Sequence, residues 1–198
     1  MPAKKLNEET RKKLLDVGVS MFIDQGYHGT GIQGVVDMAG IPKGSFYNYF
    51  KSKEDFGSKT IIHFAERFKE FLGKIEVDSR KDAYSAINRF FDDLIDSFEM
   101  NDFKEGCLIG NLAAEISDSS KINRETMSKC MNEWRDILMV ILNRAQEQGK
   151  IRDDIQANEL ADFLLNSLEG AILRMKIETS SRSLRQFKEM FLNHVMKP

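Results

Sequence analysis

Apolar residues recur along the chain at three- and four-residue steps, the period of helices with one buried face. Leu14, Gly18, Met21 and Phe22 keep this spacing and predict a first helix from about Glu8 to Gln25. Gly26 closes it, because glycine reaches positive φ without strain. Ile32, Val35, Val36 and Ala39 mark a short second helix, Gly40-Ile41-Pro42 a turn, and Lys43–Phe50 a third helix. Ser52 fits the N-cap of a long fourth helix with Asp55 at its N3 position, and Ile61, Phe64, Ala65, Phe68, Phe71, Leu72 and Ile75 form its apolar face. The polar, aperiodic stretch Gly73–Lys81 predicts a break. A fifth helix carries Ala83, Ile87, Phe90, Phe91, Leu94 and Phe98, and a sixth begins near Gly106. A seventh runs from about Lys121 to Gln148, Asp153–Gln156 is a connection, and the last two helices span about Ala157–Glu178 and Leu184–Met196. With no alternation of the strand type, the expected fold is all-α, with about nine helices.

Composition adds little to this picture. The 198 residues are 41% hydrophobic and 30% charged, ordinary values for a soluble protein. No apolar run approaches the roughly 18 residues of a membrane span, and the N-terminus is charged rather than signal-like, so a cytoplasmic protein with no membrane partner is expected. The net charge of −2 conceals an asymmetry: the first 60 residues carry 9 Lys+Arg against 7 Asp+Glu, the remainder 20 against 24. Cys107 and Cys130 lack metal-site spacing, and a structural disulfide between them is not expected in the cytosol. His28, His63 and His194 are far apart, with no nucleophile–base or metal pattern beside them. The sequence therefore predicts no enzyme, no cofactor and no metal. A thiol-dependent redox activity at Cys107 is the enzymatic alternative, and a helical interaction protein without DNA binding is the other.

Residues 31–50 carry the most chemistry. Two short helices joined by a glycine-containing turn have the dimensions of a helix-turn-helix. Ile32, Val36 and Ala39 can hold Ile41, Phe46 and Phe50 of the second helix at a fixed angle. The face left over is rich in hydrogen-bonding groups. Lys43 can donate to guanine, Asn48 can pair bidentately with adenine, Ser45 can donate or accept, and Gly44 lets the backbone approach base edges. Thr30 at the start of the second helix and Lys53 at the start of the fourth are candidate phosphate anchors, and the phenols of Tyr47 and Tyr49 can reach the DNA backbone.

The run Phe22-x-x-x-Gly26-Tyr27-x-x-Thr30, followed by Val36-x-x-x-Gly40-Ile41-x-Lys43-Gly44-Ser45-Phe46-Tyr47-x-Tyr49-Phe50-x-Ser52-Lys53-Glu54, resembles the DNA-binding domain of the TetR family. The resemblance implies a three-helix DNA-binding domain over residues 1–51 and a helical ligand-sensing and dimerisation domain over residues 52–198. It also implies that Lys43, Gly44, Ser45 and Asn48 face bases, while Thr30, Tyr47, Tyr49 and Lys53 grip phosphates of double-stranded operator DNA. Gly31-Ile32-Gln33-Gly34 departs from the pattern, since each glycine costs up to about 1 kcal/mol of helix propensity. That predicts a loosely held second helix.

Two further expectations concern the C-terminal region. The segment Ala161–Met175 is apolar around most of its circumference and needs burial on more than one side. With Leu184, Phe187, Met190, Phe191 and Val195 of the final helix, it can form a homodimer interface that matches paired half-sites. For the inducer, Phe103, Met131, Trp134, Asn166 and Glu169 are candidate pocket residues, although apolar stripes of this kind also serve as plain core. Cys107 falls at an expected helix N-terminus, where unpaired amides favour the reactive thiolate, while the neighbouring Glu105 opposes it. A buried packing role for the same cysteine stays open. The run Gly106-Cys107-Leu108-Ile109-Gly110-Asn111 also resembles a TetR subgroup that includes the electrophile-responsive NemR-type repressors. That resemblance implies a sensor cysteine at Cys107, with Lys176 as a partner that stabilises a thiolate or traps an oxidised sulfur.

Overall fold

Helical periodicity is realised nearly throughout the chain. The computed structural model describes residues 2–197, with side chains described for residues 8–197. Their order is α1 (Pro2–Gly29), α2 (Ile32–Ala39), α3 (Lys43–Phe46), α4 (Lys53–Ser79), α5 (Ala83–Met100), α6 (Leu108–Ile116), α7 (Lys121–Glu147), α8 (Ala157–Glu178) and α9 (Arg182–Met190). A π-helical turn, Phe191–Val195, continues α9. Among the described residues there is no strand, and no helix is long and apolar enough to cross a membrane.

The punctuation read from the sequence is largely present. Gly26 interrupts α1 with φ 72° and ψ 177°, and Gly40 ends α2 in the left-handed region at φ 63°. Ser52 caps α4: its hydroxyl accepts from Asp55 N at 3.1 Å, and Asp55 reciprocates by accepting from Lys51 N at 2.9 Å.

Five boundaries differ from expectation. The first helix begins at Pro2 rather than near Glu8 and resumes past the Gly26 kink as far as Gly29. The third helix stops at Phe46 rather than Phe50, and residues 47–49 form a turn in which Tyr49 N donates to the Phe46 carbonyl at 3.0 Å. The sixth helix begins at Leu108, after an extended stretch, rather than near Gly106. The final helix starts earlier, at Arg182, and changes to π geometry at Phe191. The break expected over Gly73–Lys81 is absent as far as Ser79, and only residues 80–82 leave the helix. The reason lies in tertiary contacts. Leu72 and Ile75 are buried, and Arg144 of α7 binds Glu76 at 3.0 Å, the Glu76 carbonyl at 2.9 Å and the Ser79 hydroxyl.

The chain divides into two compact units, each made of two stretches. One holds residues up to Arg67 together with Leu108–Cys130; the other holds Phe68–Cys107 together with the residues from Met131 onward. The first unit packs α1, α2, α3 and the start of α4 with α6 and the start of α7 around Phe22, Phe46, Phe50 and Phe56, each 1% exposed or less. The second unit contains α5, α8 and α9 with the remaining parts of α4 and α7. Its centre includes Phe90, Phe91 and Trp134, and the Trp134 ring meets Phe68 edge-on at 4.7 Å.

Candidate nucleic-acid interface

The third helix is held from behind by rings. Phe46 lies 5.2 Å from Phe50 and 5.4 Å from Phe56, Phe50 lies 5.0 Å from Phe56, and Phe22 lies 5.8 Å from Phe56. Tilted and edge-on pairs of this kind add to the burial of their area. The cluster depends on a missing side chain, since a Cβ at Gly18 would stand 2.5 Å from the Phe56 ring. A Cβ at Gly34, one of the two glycines that depart from the family pattern, would lie 3.0 Å from the Met21 terminal methyl, a flexible end that can give way. Gly31 has no such neighbour, since its Cβ would meet nothing within 4 Å.

With Phe46 and Phe50 turned inward, the opposite side of the segment is left to solvent. Lys43, Gly44 and Asn48 are exposed, Ser45 is half-buried, and a Cβ at Gly44 would meet nothing within 4 Å. Tyr47 is 58% exposed, and its ring packs edge-on to Phe46. Tyr49 is half-buried beside Phe50.

The other two anchor candidates are more enclosed. Thr30 is 1% exposed, and its hydroxyl donates to the Gly26 carbonyl at 2.8 Å. Lys53 is half-buried, with its ammonium 4.5 Å from the centre of the Tyr27 ring, a cation–π arrangement. Burial lowers the Lys53 pKa from its ordinary value, against the opposing pull of Glu115. Burial raises that of Tyr27, with Glu54 adding to the effect.

Sequence reading had no means to find Glu115. It accepts from Tyr27 N at 2.7 Å and from His28 N at 2.6 Å, across 88 and 87 positions of chain. Nothing in its local sequence signals that reach.

In the second unit, Cys107 is 9% exposed and stands immediately before α6. Its thiol hydrogen-bonds the half-buried carboxyl of Glu169 on α8, whose pKa is raised, chiefly by burial. Glu105, the carboxylate noted from sequence, is exposed. Lys176 is half-buried in the last turn of α8. Of the pocket candidates, Trp134 is buried, Phe103 and Met131 are half-buried, and Asn166 is exposed. A concavity of about 570 Å³, lined by Val140, Asn143, Arg144, Asp153 and Asn158 among others, contains none of the candidates. Among the described residues no group of three or more His, Cys, Asp and Glu is placed to hold a metal ion.

Comparison with known proteins agrees with this arrangement. Residues 14–57 match the model of bacterial regulatory proteins of the tetR family, and residues 83–191 match the tetracyclin repressor-like C-terminal domain. The chain is 34% identical over 177 residues to the HTH-type transcriptional repressor DhaR of Mycobacterium sp. strain GP1, covering 89% of this chain and 87% of that one. The crystal structure of a regulatory protein TetR from Rhodobacter sphaeroides superposes with a TM-score of 0.86 at 28% identity, over 92% of this chain and 97% of that one. The reduced form of Escherichia coli NemR superposes with a TM-score of 0.84 at 26% identity, over 94% and 97%. A ring-backed short helix with a polar outer face, the matched N- and C-terminal models and a near-full-length relative agree, and the chain belongs to the TetR family of transcriptional regulators.

Proposed function

We propose that this regulator is a repressor that binds operator DNA as a homodimer and is released when a small molecule or a reactive electrophile acts on its C-terminal domain. The observation that carries the reading is the exposed face formed by Lys43 and Gly44 of α3 and Asn48 of the turn that follows, backed by buried Phe46 and Phe50. Residues 1–51 serve as the reading domain and residues 52–198 as the regulatory and dimerisation domain. Lys43, Gly44, Ser45 and Asn48 meet base edges. Tyr47, Tyr49 and Lys53 meet phosphates, and Thr30 contributes chiefly by closing the turn whose amides open α2, because its hydroxyl is engaged by Gly26.

Dimerisation through α8 and α9 is supported by an apolar stripe. Phe163, Leu173 and Ile177 are 47%, 59% and 74% exposed, and Met190 of α9 is 55% exposed. Asn166 and Gly170 lie on the same stripe, and a Cβ at Gly170 would meet nothing within 4 Å, which leaves room for a partner backbone. Asn166 therefore suits a bond across the interface better than a ligand contact inside one protomer.

For release, Cys107 is the sensor. Addition of its thiol to a quinone forms an S–C bond at the ring, and the thiol proton ends on the reduced ring as it becomes a hydroquinone. The half-buried carboxyl of Glu169 holds the thiol, and Lys176 favours the thiolate. Phe103, Met131 and Trp134 are the side chains from which contacts to such an inducer would come. The modified state favours a conformation whose reading heads no longer match the half-site spacing.

A mobility-shift assay with the DNA upstream of the protein's own gene tests the reading. Unaltered protein retards that duplex and a K43A/N48A variant does not. Equal retardation by the two would overturn it. For the sensor, benzoquinone should release the unaltered protein but not C107S, and equal release would remove Cys107 from the mechanism.

A further inference from the structure

The break at Gly26 turns the amides of Tyr27 and His28 out of the helix, and one side chain receives both. Glu115, in the last turn of α6, accepts from Tyr27 N through Oε2 and from His28 N through Oε1, at 2.7 and 2.6 Å. Bonds from amides to a carboxylate are short and strong compared with neutral ones. The approach needs glycine, since a Cβ at Gly26 would stand 2.7 Å from Glu115 Oε2. Two more polar groups follow in the same stretch of chain. The Ser120 hydroxyl donates to Glu54 at 2.5 Å. Asn123 is fully buried, with its amide against Gly57 beside the Tyr27 ring. These contacts land on the end of α1 and the start of α4, the two segments that flank the helix-turn-helix.

We propose that Glu115 is a positioning residue for operator recognition. From α6 it grips the chain that leads into α2, and so sets the angle at which α3 is offered to DNA. The inference rests on the operator-binding reading above. Carboxylate chemistry is essential to the grip: a glutamine offers one acceptor and one donor, so it can serve one amide and must set its NH₂ group against the other.

The test compares unaltered protein with E115Q and E115A. Amide hydrogen exchange at Tyr27 and His28, measured without DNA, should quicken in both variants while the thermal midpoint moves little in the near-isosteric E115Q. Binding is then measured on the upstream duplex and on a scrambled duplex of equal length. The ratio of the two affinities should fall roughly tenfold in E115Q while affinity for the scrambled duplex is kept, since losing one charge-assisted bond is an effect of that size. A merely structural role would weaken both duplexes alike. Unchanged exchange at Tyr27 and His28, or a ratio preserved within about twofold, would overturn the proposal. Equal binding of both duplexes by unaltered protein would overturn the operator reading and the proposal with it, and that result shows before any substitution is made.

Discussion

The two units of the chain leave opposite kinds of surface unfinished. In the unit that carries α2 and α3, four phenylalanines fill the centre, and the face opposite Phe46 and Phe50 presents ammonium, amide and hydroxyl from Lys43, Asn48 and Tyr47. In the other unit, ion pairs such as Glu76–Arg144 and Asp92–Lys188 lie around a centre of rings and aliphatic side chains, while Phe163, Leu173 and Ile177 stand in solvent. Burying apolar area releases about 25 cal/mol per Å², so an uncovered apolar stripe favours contact with another apolar surface. An exposed cationic and amide face favours a polyanion instead. One molecule thus presents two faces with different chemical needs.

The largest expected effect is on the first unit. Replacing Phe46 with alanine empties the middle of the ring cluster and should cost about 3–5 kcal/mol, with operator binding lost. Calorimetry and a mobility shift check this; a stable variant that still binds would show that the rings do not fix α3. Next comes I177E on the opposite kind of surface. It should convert the protein to a monomer in analytical ultracentrifugation while circular dichroism keeps its helical signal. A dimer that survives the charge would separate the stripe from self-association.

Smaller effects follow from titrating groups. The hydrogen bond from Arg144 holds the Glu76 carboxyl below its ordinary pKa, with burial opposing it. Stability from this pair is therefore present above the ordinary carboxylate value and is lost as the pH falls through the lower, folded-state value. R144M should be less stable than the unaltered protein near neutrality, and the difference should shrink in acid, as melting curves against pH would record. The smallest effect is expected at Glu169, whose pKa is raised chiefly by burial. Its contribution is present below the ordinary value and is lost as the pH rises through the raised one. E169Q should therefore melt slightly higher than the unaltered protein at neutral pH and equally in acid.

Legibility followed the range of the interactions concerned. The kink in α1 and the end of α2 were readable because Gly26 and Gly40 act on their own backbone, and the start of α4 was readable because Ser52 and Asp55 bond within one turn. The continuation of α4 past Gly73 was not, because its decisive partner Arg144 lies 68 positions beyond Glu76. At the site, the exposed polar residues in and after α3 could be picked out from the sequence because a helix-turn-helix is built within twenty or so residues. The enclosure of Thr30 and Lys53, and the grip of Glu115, depend on tertiary closure that no local pattern encodes.

The unbroken course of α4 has a mechanical consequence. Twenty-seven residues make a rod of roughly 40 Å, so a tilt of about 5° at one end displaces the other by roughly 3.5 Å, more than the length of a hydrogen bond. Gly73 sits within that rod with nothing near enough to require the absence of a side chain. Glycine lowers helix propensity by up to about 1 kcal/mol relative to alanine, so this is the point at which the rod yields most readily. The bending stiffness of this 27-residue lever is therefore set by a single hydrogen atom where a methyl group would fit.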